Sequence, residues 1–391
     1  MLNRSELSEP ERPISEVRAT DRAAFLALAP DEMADSVRRG TPASVTWAER
    51  VRLVITLGRP RTCVPGLVAY ALGYSYTAGG ASWRVVLGAL LALSIGFSAN
   101  LHNTATDVHE DSRNLPGRVF LLAQLGYREL ISACRVIGGF MLIGSLALGW
   151  HFAVFMALAV AGLHQYSAPP IRSKGRPLLG LWVFSQAVVF PFLFGWTTEP
   201  GAMLSTLVRF LTSSVVGTPP AAALTHQSLR YLGMWFFLTL WFMAKGTFKN
   251  VPDFDGDRAA GVGTSATVFG SRRTAAIVSA TATLIAYLSV SLLVVLDLEH
   301  TRVLISLLWL APVAWNCARL VRADQGVLGN KILKTDMFVS TGFIMTLLLL
   351  VAPTKMSLAV CVAGIVLLFG SDVLGLDSRR DAHVPAQPAS L

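Results

Sequence analysis

Apolar runs long enough to cross a membrane recur along the chain from residue 62 to residue 376. A bilayer core of about 30 Å requires about 20 helical residues, and most of these runs approach that length. The pattern therefore predicts about ten transmembrane helices, at residues 62–80, 85–105, 130–149, 152–168, 178–197, 229–248, 273–296, 302–321, 335–352 and 357–376.

Three stretches fall outside this pattern, at residues 1–50, 199–228 and 377–391. The first fifty residues are polar and contain no apolar core of a signal peptide; within them, 16–39 reads equally well as an amphipathic helix or as a disordered tail. Residues 199–228 are long and irregular, and 204–216 is predicted to be an interfacial helix. The predicted organisation is a polar N-terminal extension, a membrane domain and a polar C-terminal tail, at 1–50, 51–376 and 377–391.

The composition supports a membrane protein. Hydrophobic residues make up 53% of the 391 residues and charged residues only 15%, whereas soluble proteins carry about 25% charged residues. The four cysteines lie in apolar runs without metal-ligand spacing, so they are expected to be small core residues. A soluble, disordered or disulfide-stapled protein is excluded.

The net charge of +9 reflects membrane topology rather than nucleic-acid binding. Basic residues are concentrated in every second loop, and this asymmetry places those loops and the N-terminus in the cytoplasm. Arginine greatly outnumbers lysine, as is typical of a high-GC bacterial genome, so we expect a bacterial plasma membrane. The basic loops after the second, fourth, sixth and eighth spans contain Arg113, Arg118, Arg128, Arg172, Lys174, Arg176, Lys249, Arg258, Arg272, Arg273, Arg322, Lys331 and Lys334.

Two acidic motifs lie at the ends of two predicted spans on this cytoplasmic side. In the first, Asn103, Asp107 and Asp111 recur every four residues and would share one helix face. The second follows the sixth span and repeats the arrangement with Asn250, Asp253 and Asp257, provided that the helix continues past Pro252. Ionisable groups at membrane depth are costly and usually mark function.

Two carboxylate faces brought together would repel each other unless cations lay between them. Mg²⁺ prefers oxygen ligands and is often completed by substrate phosphates. Nearby Arg and Lys side chains would complete the shell of a bound anion. The pattern therefore indicates two acidic faces bridged through Mg²⁺ to one diphosphate.

The spacing of these residues resembles that of the UbiA superfamily of intramembrane prenyltransferases. The resemblance rests on N-x-x-x-D-x-x-x-D from Asn103 and K-x-x-P-D-x-x-G-D from Lys249. A third segment, from Tyr166 to Lys174, lies between them and is similar to the homogentisate and chlorophyll-type branch of that superfamily. The resemblance covers nearly the whole membrane region.

The resemblance implies an all-α bundle of about nine to ten transmembrane helices, with a central cavity and a cytoplasmic cap. It implies Mg²⁺ as cofactor and an isoprenyl diphosphate as substrate. Carried over residue by residue, the metal ligands are Asn103, Asp107, Asp111, Asp253 and Asp257, of which the four aspartates are the expected catalytic residues. The expected substrate-binding residues are Arg59, Arg118, Tyr166, Arg172, Lys174, Lys249, Asn250 and Arg258.

The expected reaction begins with ionisation of the diphosphate to an allylic cation, which an acceptor then captures. An aromatic acceptor is the commonest in the superfamily, and another lipid-soluble acceptor or an internal double bond, as in a terpene cyclase, remains open. One departure is Asn250, where many relatives have Asp, which lowers the negative charge of the second motif. A secondary transporter is disfavoured, because its carboxylates would lie near the membrane midplane.

Overall fold

The structure, a computed structural model, describes residues 21–40, 42–77, 79–198, 225–323 and 326–379, without the side chains of 326–330. Throughout those ranges the secondary structure is helical. The predicted all-α class is thus confirmed, and the predicted interfacial helix at 204–216 lies outside the described residues.

The described helices follow one another with short connections. They are α1 Arg22–Leu26, α2 Pro30–Arg39, α3 Trp47–Gly58, α4 Val64–Tyr74, α5 Trp83–Thr106, α6 Val108–Asn114, α7 Pro116–Leu125, α8 Tyr127–Leu148, α9 Trp150–Ser167, α10 Pro177–Thr197, α11 His226–Asn250, α12 Phe254–Ala259, α13 Arg272–Leu288, α14 Val290–Val295, α15 Leu310–Arg322, α16 Gly326–Val351 and α17 Lys355–Val373. Short 3₁₀ helices at Pro60–Cys63, Ser173–Gly175 and Thr301–Trp309 join some of them.

Every predicted span coincides with helical structure, although some spans are interrupted. The first begins as the 3₁₀ turn Pro60–Cys63 before α4, and the eighth begins as the 3₁₀ helix Thr301–Trp309 before α15. Within the described ranges, seven helical stretches are long and apolar enough to cross a membrane. They are Trp83–Thr106, Tyr127–Leu148, Pro177–Thr197, Arg272–Val295, Thr301–Arg322, Lys331–Val351 and Lys355–Val373. The total of nine to ten spans stays a prediction.

The described part of the N-terminal extension is helical and docked onto the bundle. Phe25 on α1 is fully buried, with its ring centroid 5.5 Å from that of Phe120 on α7. On α2, Asp31 forms an ion pair with Arg113 at 3.3 Å. Arg22–Leu26 and Pro30–Arg39 are thus helical, and α2 packs against α6 beside the first acidic motif.

Helix α4 lies at the centre of the bundle, packed against α5, α10, α16 and α17. Its close approach to α10 depends on small residues, since a Cβ at Gly73 would overlap the Phe192 carbonyl and one at Gly195 would overlap the Tyr70 carbonyl. Small residues permit such close packing between membrane helices, where there is little hydrophobic driving force. This packing fixes one wall of the cavity described below.

Candidate active site

The first acidic motif lies on a kinked helix rather than on one straight face. Asn103 is on α5, Asp107 stands at the break between α5 and α6, and Asp111 is on α6. The backbone hydrogen bonds Asp107 N to Asn103 O and Asp111 N to Asp107 O, at 2.9 and 2.7 Å, carry the chain through the kink. The kink turns the carboxylates inward together with the Asn103 amide.

The second motif is also broken, because α11 ends at Asn250 and the chain turns at Pro252 before α12 begins at Phe254. The helix that the sequence pattern required past Pro252 is therefore absent. Pro252 has no N–H to donate to the carbonyl four residues earlier, and its ring crowds that turn, which accounts for the break. Asp253 occupies the N-cap position of α12, and Asp257 follows one turn later, with its N–H bonded to the Asp253 carbonyl at 2.9 Å.

Both motifs line one cavity of about 560 Å³ at the end of the bundle where the polar loops meet. All five predicted metal ligands are on its wall: Asn103, Asp107, Asp111, Asp253 and Asp257. Six of the predicted substrate-binding residues also line it: Arg59, Arg118, Tyr166, Lys174, Lys249 and Asn250. The structure thus brings together residues from segments up to about 200 positions apart.

Two other candidates do not line this cavity. The side chain of Arg172 is 47% exposed and pairs with Glu110 at 2.5 Å. Arg258 is exposed, and its guanidinium lies 3.4 Å from the Gly270 carbonyl. Because both side chains lie outside the cavity or at its rim, neither is expected to contact a ligand bound in the cavity.

Basic side chains neutralise the first motif. Lys174 forms ion pairs with Asp107 and, at 3.0 Å, with Glu110, while Arg118 Nη1 lies 2.8 Å from Asp111 Oδ2. Arg118 is held in turn by Thr104, whose hydroxyl accepts a hydrogen bond from Nε at 3.0 Å. Lys174 reaches the site because the chain turns sharply after α9 into the 3₁₀ helix Ser173–Gly175.

The second motif is less fully neutralised. Asp253 pairs with Arg379 at 3.3 Å, and Asn250 Nδ2 donates to Ser265 Oγ at 2.9 Å. In the described part of the chain, Asp257 forms no ion pair within 4.0 Å. Lys249 forms none there either, and its ammonium lies 5.2 Å from the ring centroid of Phe184. The Lys249 charge is therefore free to meet an anion.

The electrostatics of the cavity favour a cation. Burial raises the pKa of Asp111 to about 6, with Arg118 opposing the shift and Asp107 adding to it. Burial and the charge of Asp253 raise the pKa of Asp257 to about 7. Ionised carboxylates in this cavity therefore cost free energy, and a bound cation would relieve that cost.

The donor set suits a hard divalent cation such as Mg²⁺, because every candidate ligand offers oxygen and none offers sulfur or imidazole. No group of three His, Cys, Asp or Glu side chains in the described ranges converges closely enough to hold an ion in this arrangement. Three of the four carboxylates are instead held by Lys174, Arg118 and Arg379. The residues fit the cation chemically, and these pairs must rearrange to admit it.

Comparison with known proteins identifies the fold and the family. A model of the UbiA prenyltransferase family matches residues 63–342 of the chain. The chain belongs to the UbiA prenyltransferase family. It is therefore a prenyltransferase and an integral membrane protein rather than a transporter, and the resemblance seen in the two acidic motifs is confirmed.

Similar proteins include two curated relatives and one solved structure. This prenyltransferase is 28% identical over 231 residues to a lycopene elongase/hydratase of Corynebacterium glutamicum, covering 57% of this chain and 71% of the relative. It is 28% identical over 206 residues to the chloroplastic homogentisate solanesyltransferase of Arabidopsis thaliana, covering 49% and 47%. The fold matches a UbiA homolog from Archaeoglobus fulgidus bound to DMAPP and Mg²⁺, with a TM-score of 0.53 and 20% identity over 79% of this chain and 99% of that one.

The UbiA prenyltransferase cavity also contains residues that the sequence analysis missed. Asp377 pairs with Arg61 and lies 3.6 Å from Arg59, while Arg379 reaches Asp253. Burial alone would raise the pKa of Asp377, but the two arginines outweigh it and the pKa is lowered. The two residues belong to the stretch predicted as a polar tail, where no spacing pattern distinguishes them.

A second set of missed residues lies on membrane helices deeper in the same cavity. Lys245 on α11 forms an ion pair with Asp336 on α16, and both line the cavity. Nearby, the rings of Phe184 and Phe242 stack with centroids 5.0 Å apart. The sequence signal for this pair is a charged residue inside an apolar run, Lys245 in 229–248 and Asp336 in 335–352.

Proposed function

We propose that this enzyme transfers an isoprenyl group from an isoprenyl diphosphate to a lipid-soluble acceptor in an Mg²⁺-dependent reaction. The observation that carries the proposal is the cavity itself. Two facing carboxylate pairs and several basic groups line its polar end, and an aromatic pair, Phe184 and Phe242, lines it further in. A diphosphate with an apolar tail has this same division between a charged head and a hydrocarbon chain.

In this proposal, Asp107, Asp111, Asp253 and Asp257 hold Mg²⁺, with the Asn103 amide oxygen as a further ligand. When bound, Mg²⁺ would neutralise charge on the diphosphate and make it a better leaving group. The raised pKa values of Asp111 and Asp257 support this assignment, because burial makes both ionised carboxylates costly and a bound cation would lower that cost.

We assign the diphosphate to the basic groups on the cavity wall. Lys249 is the strongest candidate, since it forms no ion pair in the described ranges. Arg59, Arg118 and Lys174 would exchange their present carboxylate partners for diphosphate oxygens, with Tyr166 as a hydroxyl donor. Charge-assisted hydrogen bonds of this kind are roughly twice as strong as neutral ones, and they gain most as negative charge builds on the departing diphosphate.

Breaking the bond between C1 and the bridging oxygen would leave an allylic cation below the diphosphate site. The apolar wall would keep water from quenching this cation. The faces of Phe184 and Phe242 carry negative potential and would stabilise a nearby cation. Binding energy from the diphosphate and the tail would hold the cation close to its acceptor.

For the acceptor, an apolar polyene is the first candidate and an electron-rich aromatic ring the second. The similarity to a lycopene elongase/hydratase supports the polyene, and the similarity to a homogentisate solanesyltransferase supports the ring. Asn250 favours the polyene, because an amide cannot remove the proton of a phenol. The concentration of basic loops on one side supports a cytoplasmic orientation of the site in a bacterial plasma membrane.

The proposal can be tested on membranes containing the full chain, supplied with Mg²⁺ and in turn dimethylallyl, geranyl, farnesyl and geranylgeranyl diphosphate. Diphosphate release and extracted lipids are measured with lycopene, with homogentisate or without an acceptor. We expect Mg²⁺-dependent release and an acceptor heavier by one prenyl unit. A cyclic hydrocarbon formed without acceptor would identify a terpene cyclase instead, and absence of release with every donor would contradict the proposal.

A further inference from the structure

The ion pair between Lys245 and Asp336 is unusual because Lys245 lies in the predicted span 229–248 and Asp336 lies in the apolar helical stretch Lys331–Val351. The side chains are 6% and 15% exposed, and the Lys245 ammonium lies 5.4 Å from the ring centroid of Phe248. A buried ion pair contributes little net stability, and hydrophobic residues of similar volume often replace one without loss. Its presence on the wall of a reaction cavity therefore calls for a functional explanation.

The pair lies deeper in the membrane than the carboxylates of the acidic motifs. Lys245 precedes Lys249 by one helical turn on α11, or about 6 Å along the axis at 1.5 Å per residue. Asp336 is five residues inside the apolar stretch Lys331–Val351. The residues of α16 that line the cavity are Lys331, Leu333, Lys334, Asp336, Met337 and Ser340. Of these, Asp336, Met337 and Ser340 share one helix face with Leu333. Asp336 thus faces the cavity just below the proposed diphosphate site.

The proposed reaction requires a proton acceptor at this depth. When the allylic C1 bonds to a carbon of the acceptor, the positive charge moves to the acceptor. The acceptor becomes neutral by losing one proton, whether it is a polyene, an aromatic ring or a cation captured by water. The carboxylates at the polar end of the cavity are committed to cations or to basic side chains in the proposed function.

We propose that Asp336 is the catalytic residue that accepts this proton and that Lys245 is the residue that positions it. This inference rests on the proposed function. In this step, a double bond of the acceptor supplies the electron pair that forms the new bond to C1. The adjacent C–H bond of the acceptor cation then breaks, its electron pair forms the new double bond, and the proton moves to an Asp336 carboxylate oxygen. Lys245 stays an ammonium and holds the carboxylate against the wall.

The test measures how much prenylated product forms for each diphosphate released, using the full chain in membranes with Mg²⁺, geranylgeranyl diphosphate and the acceptor that the wild type uses. This ratio is independent of how much protein folds. For Asp336→Asn we expect the ratio to fall about 10²-fold, since a positioned base typically contributes 10²–10⁴-fold. The lost product should reappear as prenyl alcohol or hydrocarbon from the uncaptured cation.

Two further variants separate proton transfer from a structural role. Asp336→Glu keeps a carboxylate and should restore most of the ratio. The double variant Lys245→Met with Asp336→Leu removes the ion pair without leaving a buried charge, so it should fold yet retain the low ratio. If the double variant regains the wild-type ratio, the pair is structural, and an unchanged ratio in Asp336→Asn would equally overturn the proposal. Failure of the proposed function itself would appear differently, as no diphosphate release from the wild type.

Discussion

The two acidic motifs have similar sequences but different surroundings. At the first motif, Asp107 and Asp111 each have a basic partner within about 70 residues along the chain, Lys174 and Arg118. At the second, Asp253 is paired only with the distant Arg379, and Asp257 forms no ion pair in the described ranges. The same spacing of carboxylates thus yields a first motif that is largely neutralised and a second motif that retains negative charge.

This difference suggests that the two motifs have different tasks. Neutralisation of buried charge stabilises the fold, so the first motif with its partners contributes to both structure and binding. Residual charge favours a cation, so the second motif is expected to contribute more to cation affinity. The following predictions test this division, beginning with the largest expected effect.

Replacing one carboxylate in either motif should nearly abolish catalysis. For Asp107→Asn and Asp253→Asn we expect Mg²⁺-dependent diphosphate release to fall about 10³-fold each, because stabilisation of developing charge by bound metal supplies several kcal/mol. Release of diphosphate in membranes measures this effect. Asp255→Asn is the matched control, since Asp255 is exposed beside the second motif. Activity retained in only one of the two variants would restrict catalysis to the other motif.

Removing a basic partner should destabilise the first motif more than the second. Arg118→Leu leaves the buried carboxylate of Asp111 without its ion pair, which should cost about 3–5 kcal/mol of unfolding free energy. Arg379→Leu should cost less, because the Asp253 side chain is 19% exposed and keeps some contact with water. Unfolding of both variants in detergent measures the difference, and equal losses would contradict the division.

Adding a carboxylate to the second motif should strengthen cation binding. Asn250→Asp introduces the acidic residue that the resemblance implies at this position, and the Ser265 hydroxyl can rotate to donate to it. We expect the Mg²⁺ concentration for half-maximal diphosphate release to fall about threefold, or roughly 0.7 kcal/mol. Asn103→Asp at the first motif is the comparison. A larger gain there would reverse the proposed division.

The smallest effect concerns pH. Because the pKa of Asp257 is raised to about 7, the folded protein binds this proton more tightly than the unfolded chain. In EDTA, the stabilisation from this bound proton should be lost as the pH rises from about 4 towards 7. Tm should fall over this range, by about 2–4 °C for each kcal/mol of unfolding free energy that is lost. Scanning calorimetry between pH 5 and pH 8 measures the change. Asp257→Asn should flatten this dependence, and Mg²⁺ should raise Tm more at pH 8 than at pH 5.

Sequence patterning alone determined much of the architecture. The ten apolar runs coincide with helical structure within a few residues for most boundaries, because in a bilayer a backbone must satisfy its hydrogen bonds internally. The acidic motifs predicted the candidate site for a similar reason, since charge near a membrane is costly and seldom occurs without a role. These are local properties, readable from composition and spacing.

Tertiary structure decided how the site is completed. The kink at Asp107 and the turn at Pro252 aim the carboxylates, and the return of Asp377 to Arg59 and Arg61 closes one side of the cavity. Likewise, Lys245 and Asp336 are 91 residues apart and become partners only when their helices pack. Such pairings depend on which helices lie next to each other in the fold. A charged residue in an apolar run therefore does not indicate, from sequence alone, which residue will neutralise it.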